Sequence, residues 1–333
     1  MKKLINRPKD VVKETIEGFL MMHATEFKQV ESYTAIVKTQ LDSEKVGLVI
    51  GGGSGHEPLF LEFIGKGYAD AVAMGNVFAA PSPDVVLAAT KAVDRGRGVL
   101  YVYGNYAGDN LNFDMGAELA DFEGIRTETV RVWDDVASAP LERISDRRGI
   151  AGDFFVIKVA GAACDAGLDL DEVKRLTIKV RDNTRTMGVA LYPGTIPGES
   201  VPSFTLPEDE MEIGMGLHGE PGVRRGKMRP ADEVVDEMLE LIIRDLPFNS
   251  GDQVCVLVNG FGASTRMELL IAMRRTLQQL EQKGMVVYRT DAGNYATCQE
   301  MAGVSITLMR VDDELKKYID WPVWSPVYKN GVR

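Results

Sequence analysis

Three short apolar runs constrain this chain more than any other feature. Val46 to Ile50, Val99 to Tyr103 and Thr129 to Trp133 each read as a buried strand, and each ends in a turn. The turns are Gly51-Gly52-Gly53-Ser54-Gly55, the stretch Gly104 through Asp109, and Asp134-Asp135. Helical patterns separate the runs. Strands alternating with helices argue an α/β sheet covered on both faces, with the loops that carry chemistry at the carboxyl ends of the strands.

Around this unit the pattern extends in both directions. A helix begins near Pro8, with Val12, Ile16, Phe19, Leu20 and His23 recurring on one face. Between about 192 and 212 the pattern breaks into Tyr192-Pro193-Gly194-Thr195-Ile196-Pro197-Gly198, Pro202 and Pro207, which marks a linker or a long surface excursion. Beyond it we expect a helix from about Asp232 to Arg244 and a strand from Val254 to Val258. A long helix follows, opened by Thr265 with Glu268 at capping-box spacing and closed near Gly284. The expected architecture is two α/β domains, one over 1–186 and one over 187–333. Each would be a mostly parallel or mixed sheet flanked by helices.

Composition excludes several classes of function. With 38 Lys and Arg against 49 Asp and Glu, the 333-residue chain carries a formal charge of -11, so it is a poor electrostatic partner for nucleic acid. The largest basic cluster is Arg224-Arg225-Gly226-Lys227. No segment approaches the ~18 apolar residues of a membrane span, and Met1-Lys2-Lys3 leads into Asn6-Arg7-Pro8 rather than into a signal-peptide core. Cys164, Cys255 and Cys298 lack any CxxC spacing and read as reduced thiols. A cytoplasmic protein is expected.

The glycine run after the first strand invites a nucleotide reading, but its spacing fits neither GxxxxGK[ST] nor GxGxxG, where His56 stands in place of the third glycine. A close-packed turn that brings backbone to a small ligand is the better reading, beside that of a purely structural turn. The three histidines divide accordingly. His23 falls on an apolar helix stripe and reads as packed. His56 follows the glycine run. His218 sits in Gly214-Met215-Gly216-Leu217-His218-Gly219-Glu220-Pro221-Gly222, where glycines strip cover from the ring and let a small reactant reach it. No HExxH or paired-cysteine spacing supports a metal, and Gly53-Ser54-Gly55 is not a nucleophile elbow.

Several motifs in register carry a resemblance over essentially the whole chain. They are Gly51 through Pro58, Asn105-Tyr106-Ala107-Gly108-Asp109 with Asn112-Phe113, Arg147-Arg148-Gly149-Ile150-Ala151-Gly152, Ser203-Phe204-Thr205-Leu206, Gly214 through Gly222, and Ser305-Ile306-Thr307-Leu308. In these the sequence resembles the substrate-binding K subunit of the dihydroxyacetone kinase family. The resemblance implies that His218 adds covalently to the ketone carbon of dihydroxyacetone as a hemiaminal. It makes Asp109 the acceptor of the proton of the attacking hydroxyl, and His56 a group that holds and orients the substrate. Gly53, Ser54, Gly55 and Gly104 would complete the binding loops. A neutral imidazole adds to a carbonyl and not to an alcohol, so such a bond selects ketones over glycerol.

The resemblance also implies where the remaining parts are. No cofactor is expected on this chain; ADP or ATP with Mg²⁺ would sit on a separate helical L subunit, rephosphorylated by an M subunit of the phosphotransferase system. The sequence ending at Arg333 supports that expectation, and a homodimer is expected. Gly104 and Ala80 stand where the family commonly has lysine and serine, so a larger ketose such as erythrulose becomes a candidate substrate. A ketone-sensing transcriptional co-activator is the rival role, against which Asp109 speaks because a sensor needs no general base.

Overall fold

The computed structural model describes residues 2–41, 44–216 and 218–331. The chain forms two compact units that interleave along the sequence. One comprises the residues up to Val132, Val156–Lys179 and those from Lys317 onward; the other comprises Trp133–Phe155 and Val180–Lys316.

The first unit is built on a six-stranded sheet of β1 (Phe27–Gln29), β2 (Ala35–Lys38), β3 (Gly47–Ser54), β4 (Ala71–Val77), β5 (Val99–Gly104) and β6 (Thr127–Val132), in the order β1-β2-β4-β3-β5-β6. β3 runs parallel to β4 and β5, and β5 runs parallel to β6, whereas β1 and β2 are antiparallel to their neighbours. Helix α1 (Val11–Met22) precedes the sheet, and α2 (Pro83–Val93) and α3 (Ala107–Phe122) are its crossovers. The residues Val46 and Leu48 to Ile50 are wholly buried, as the continuous apolar run demands of a strand covered on both faces. One side packs Val49, Ala73 and Tyr101 against Val86 of α2 and Phe113 of α3. Each such large side chain contributes about 1.5–3 kcal/mol by leaving water.

Two helices, α4 (Asp153–Asp165) and α5 (Leu170–Asp182), lead to the second sheet. Its elements are β7 (Thr184–Tyr192), β8 (Glu210–Ile213), β9 (Arg224–Lys227), α6 (Ala231–Asp245), β10 (Gln253–Gly260), α7 (Arg266–Gln282), β11 (Val286–Gly293) and β12 (Ala302–Val311). The strand order is β11-β10-β12-β7-β8-β9, and only β10 and β11 pair in parallel. Both sheets are therefore mixed, within the expected class. The capping box at Thr265 and Glu268 is present and opens α7. After β12 come α8 (Asp313–Ile319) and a ribbon of β13 (Val323–Trp324) and β14 (Lys329–Asn330). Among the described residues no helix is long and apolar enough to cross a membrane.

Two details differ from the sequence reading, and one open alternative is decided. The two units are not separated by one cut at 186/187. Residues 133–155 join the second unit, where Thr186 N–H of β7 donates to Asp134 O (2.9 Å) and Val136 N–H donates to Thr186 O (3.1 Å). The last segment returns to the first unit, where Lys158 Nζ donates to the carbonyls of Tyr318 (3.0 Å) and Trp321 (2.8 Å). Of the two readings of the break at 192–212, the excursion is the one observed, joining β7 and β8, neighbours in one sheet. Finally, Gly51 to Gly53 lie inside β3 rather than in a turn after it, because crowding and not a bend requires them. A Cβ at Gly51 would overlap the carbonyl of Ala73, and one at Gly52 would overlap the ring of Phe60.

Candidate active site

In the first unit the residues singled out by sequence gather at the carboxyl ends of β3, β4 and β5. Gly53, next to last in β3, lies in contact with the loop after β4: a Cβ there would stand 2.8 Å from Ala79 N and 3.1 Å from the Phe78 backbone. Ser54 is buried and donates through Oγ to Gly75 O (2.7 Å), while its own carbonyl accepts Phe78 N–H (2.9 Å). Gly55 turns the chain with φ 101°, a left-handed value open to glycine, and donates its N–H to both oxygens of Glu57 at 3.0 Å. Burial pushes the Glu57 carboxyl up, against the opposing pull of those hydrogen bonds.

This strap places His56, 5% exposed, with its ring stacked on Phe78 at 5.1 Å between centroids. Phe78 holds φ 56°, which costs a non-glycine residue roughly 1–2 kcal/mol. That strain is tolerated where the ring platform under His56 and the hydrogen bond to Ser54 over-determine the loop.

Asp109 lies half-buried in the first turn of α3, where aligned peptide dipoles favour a carboxylate. The turn is fastened on both sides. Asn110 Nδ2 donates to Asn105 Oδ1 (2.8 Å), and Asn112 Nδ2 donates to Pro81 O (2.8 Å), tying α3 to the loop that carries Phe78 and Ala80. Gly104 closes β5 and is buried. A Cβ at Gly108 would meet Ala80 Cβ at 3.5 Å, an ordinary van der Waals contact, so the first turn of α3 lies close against the loop after β4. His56, Ala80 and Asp109 thus share one end of one sheet.

His218 belongs to the second unit, on the connection between β8 and β9. Leu217 lies outside the described residues. Gly214 (φ 82°) and Gly219 (φ 86°) take left-handed backbone, and Phe204 of the Ser203-Phe204 motif backs Gly219 with Cδ1 3.0 Å from where a Cβ would be. The ring of His218 is 27% exposed. Its backbone N–H donates to Glu220 Oε2 (3.0 Å), and Nδ1 stands 3.4 Å from Glu220 Oε1. Arg148 Nη1 approaches the same carboxylate at 3.5 Å. Burial would raise the Glu220 pKa, but the hydrogen bond and charge of His218, together with Arg148, prevail and bring it down to about 2.

Glu220 and Arg148 were not singled out by sequence, although one lies two residues past the histidine and the other in the Arg147-Arg148 motif. Phe78 left no local signal at all. His23 caps α1 beside Phe19 and Phe27, a packed role. Among the described residues no group of three or more His, Cys, Asp or Glu is placed to hold a metal ion.

Comparison with known proteins agrees with the fold. The Dak1 domain profile matches residues 17–327. The chain is 45% identical over 331 residues to the PTS-dependent dihydroxyacetone kinase 2, dihydroxyacetone-binding subunit DhaK, of Listeria innocua, covering 99% of each. It is 38% identical to the L-erythrulose kinase of Pectobacterium atrosepticum, covering 99% of this chain and 57% of that one. The crystal structure of the dihydroxyacetone kinase of C. freundii superposes with a TM-score of 0.91 at 30% identity, covering 99% of this chain and 60% of that one.

Proposed function

Because the chain belongs to the Dak1 domain family, we propose that it is the ketone-holding subunit of a PTS-dependent dihydroxyacetone kinase. One observation carries the reading: His218 offers a partly exposed imidazole on a glycine-rich loop, a nucleophile that a small ketone can reach. Its ring nitrogen adds to the ketone carbon and holds the substrate as a hemiaminal. The terminal hydroxyl then attacks the phosphoryl group, and Asp109 accepts its proton. His56, pinned between the β3 strap and Phe78, orients the bound ketose. The nucleotide, as ADP or ATP with Mg²⁺, is the contribution of a helical L subunit recharged by an M subunit. The chain works as a homodimer in the cytoplasm.

A second reading concerns the substrate. The lack of a long side chain at Gly104 and of a hydroxyl at Ala80 favours a ketose one carbon longer, and a relative is named for L-erythrulose. Intact-mass measurement under mild conditions with dihydroxyacetone and erythrulose tests both. Wild type is expected to gain the mass of the ketose and His218→Ala to lose it. Asp109→Ala is expected to keep the adduct and lose turnover with partner subunits. An adduct that survives His218→Ala refutes the covalent assignment, and the ketose bound at the lower concentration decides the substrate.

A further inference from the structure

A line of charges in the second unit ends at the proposed nucleophile. Asp135, 1% exposed, receives Arg148 Nε (3.0 Å) and Nη2 (2.8 Å) on Oδ2, and the N–H of Ala137 (3.1 Å) on Oδ1. Thus anchored, the Arg148 guanidinium reaches Oε2 of Glu220, the oxygen that also takes the His218 backbone N–H. The other oxygen, Oε1, is the one that faces the imidazole. Gly216 makes room for this contact, since a Cβ there would overlap both Glu220 Oε2 and Arg148 Nη1.

We propose that Glu220 is the positioning residue for His218: it keeps the ring proton on Nδ1 and leaves the Nε2 lone pair for the carbonyl carbon. Arg148 and Asp135 hold Glu220 in that attitude. The inference rests on the ketone-binding reading above and assigns the reactive atom within it. The hydrogen bond made by one imidazole nitrogen decides which nitrogen carries the proton, and a carboxylate can only accept.

The addition balances with these groups and water. The Nε2 lone pair forms the C–N bond, and the carbonyl π pair moves to oxygen. The ring becomes cationic with Nδ1–H against Glu220, where a charge-assisted hydrogen bond is stronger than a neutral one. The Nδ1 proton then leaves by way of Glu220, and water supplies one to the new carbinol oxygen. Nothing is oxidised or reduced.

Two-bond ¹H–¹⁵N correlation on the full chain labelled at histidine reads the tautomer directly, and ¹³C-labelled dihydroxyacetone reads the adduct. Wild type is expected in the Nδ1–H form. Glu220→Gln, whose amide oxygen still accepts, is expected to keep that tautomer while binding ketone more weakly. Glu220→Ala is expected to lose both, with adduct affinity falling about 10–100-fold, as for other residues that orient a reactive ligand. Wild type in the Nε2–H form overturns the proposal, and so does a Gln variant, folded by circular dichroism, with unchanged adduct affinity. Wild type that forms no adduct with any short ketose refutes the ketone reading instead, and the nitrogen shifts still judge the tautomer.

Discussion

Replacing Gly53 by alanine tests whether backbone crowding, rather than a turn, explains the glycine run. The added Cβ would stand 2.8 Å from Ala79 N and 3.1 Å from both Phe78 C and Phe78 Cα. All three are backbone atoms, so no rotamer change relieves the contact, and the loop carrying Phe78 must move by several tenths of an ångström. That loop is held by the Phe78 N–H to Ser54 O bond (2.9 Å) and by the stack on His56. Overpacking of this kind costs about 1–3 kcal/mol, which lowers a urea midpoint by on the order of 1 M. Urea titration followed by circular dichroism measures it, with Gly226→Ala as the control because nothing lies within 4 Å of a Cβ there. Ketose binding should weaken as well, since His56 rides on the displaced ring. A Gly53→Ala protein whose stability matches the Gly226→Ala control to about 0.5 kcal/mol refutes the crowding argument.

Two further outcomes follow from other parts of the molecule. Gly18 is an exposed glycine within α1 with nothing within 4 Å of a Cβ, so Gly18→Ala should stabilise the protein by about 0.5–1 kcal/mol in the same titration. The Glu220 pKa lies below its ordinary 4.5, at about 2 in the fold, so its charge adds stability above pH 4.5 that is lost as pH falls through about 2. The midpoint difference between wild type and Glu220→Gln should therefore be larger above pH 4.5 than near pH 2; a gap independent of pH would contradict the assignment.

The sequence by itself determined the kinds of element and the reactive groups. Apolar runs such as Val46 to Ile50 have no stable place except a strand covered on both faces, and Thr265 with Glu268 opens a helix because two side chains satisfy its free N–H groups. Imidazoles beside glycine are legible for the same reason: missing side chains are as visible in a sequence as present ones. What only the tertiary structure decided depends on contacts distant along the chain. Gly51 to Gly53 belong to a strand because of Ala73, Phe60 and Ala79, and nothing local distinguishes that from a turn. The unit boundaries follow hydrogen bonds such as those from Lys158 to the last segment, more than 150 residues away. Arg148 reaches Glu220 from 72 positions earlier, and Phe78 supports His56 through a backbone conformation that no propensity announces. Periodicity and propensity act over a few residues, whereas close packing joins atoms with no regard to their separation along the chain.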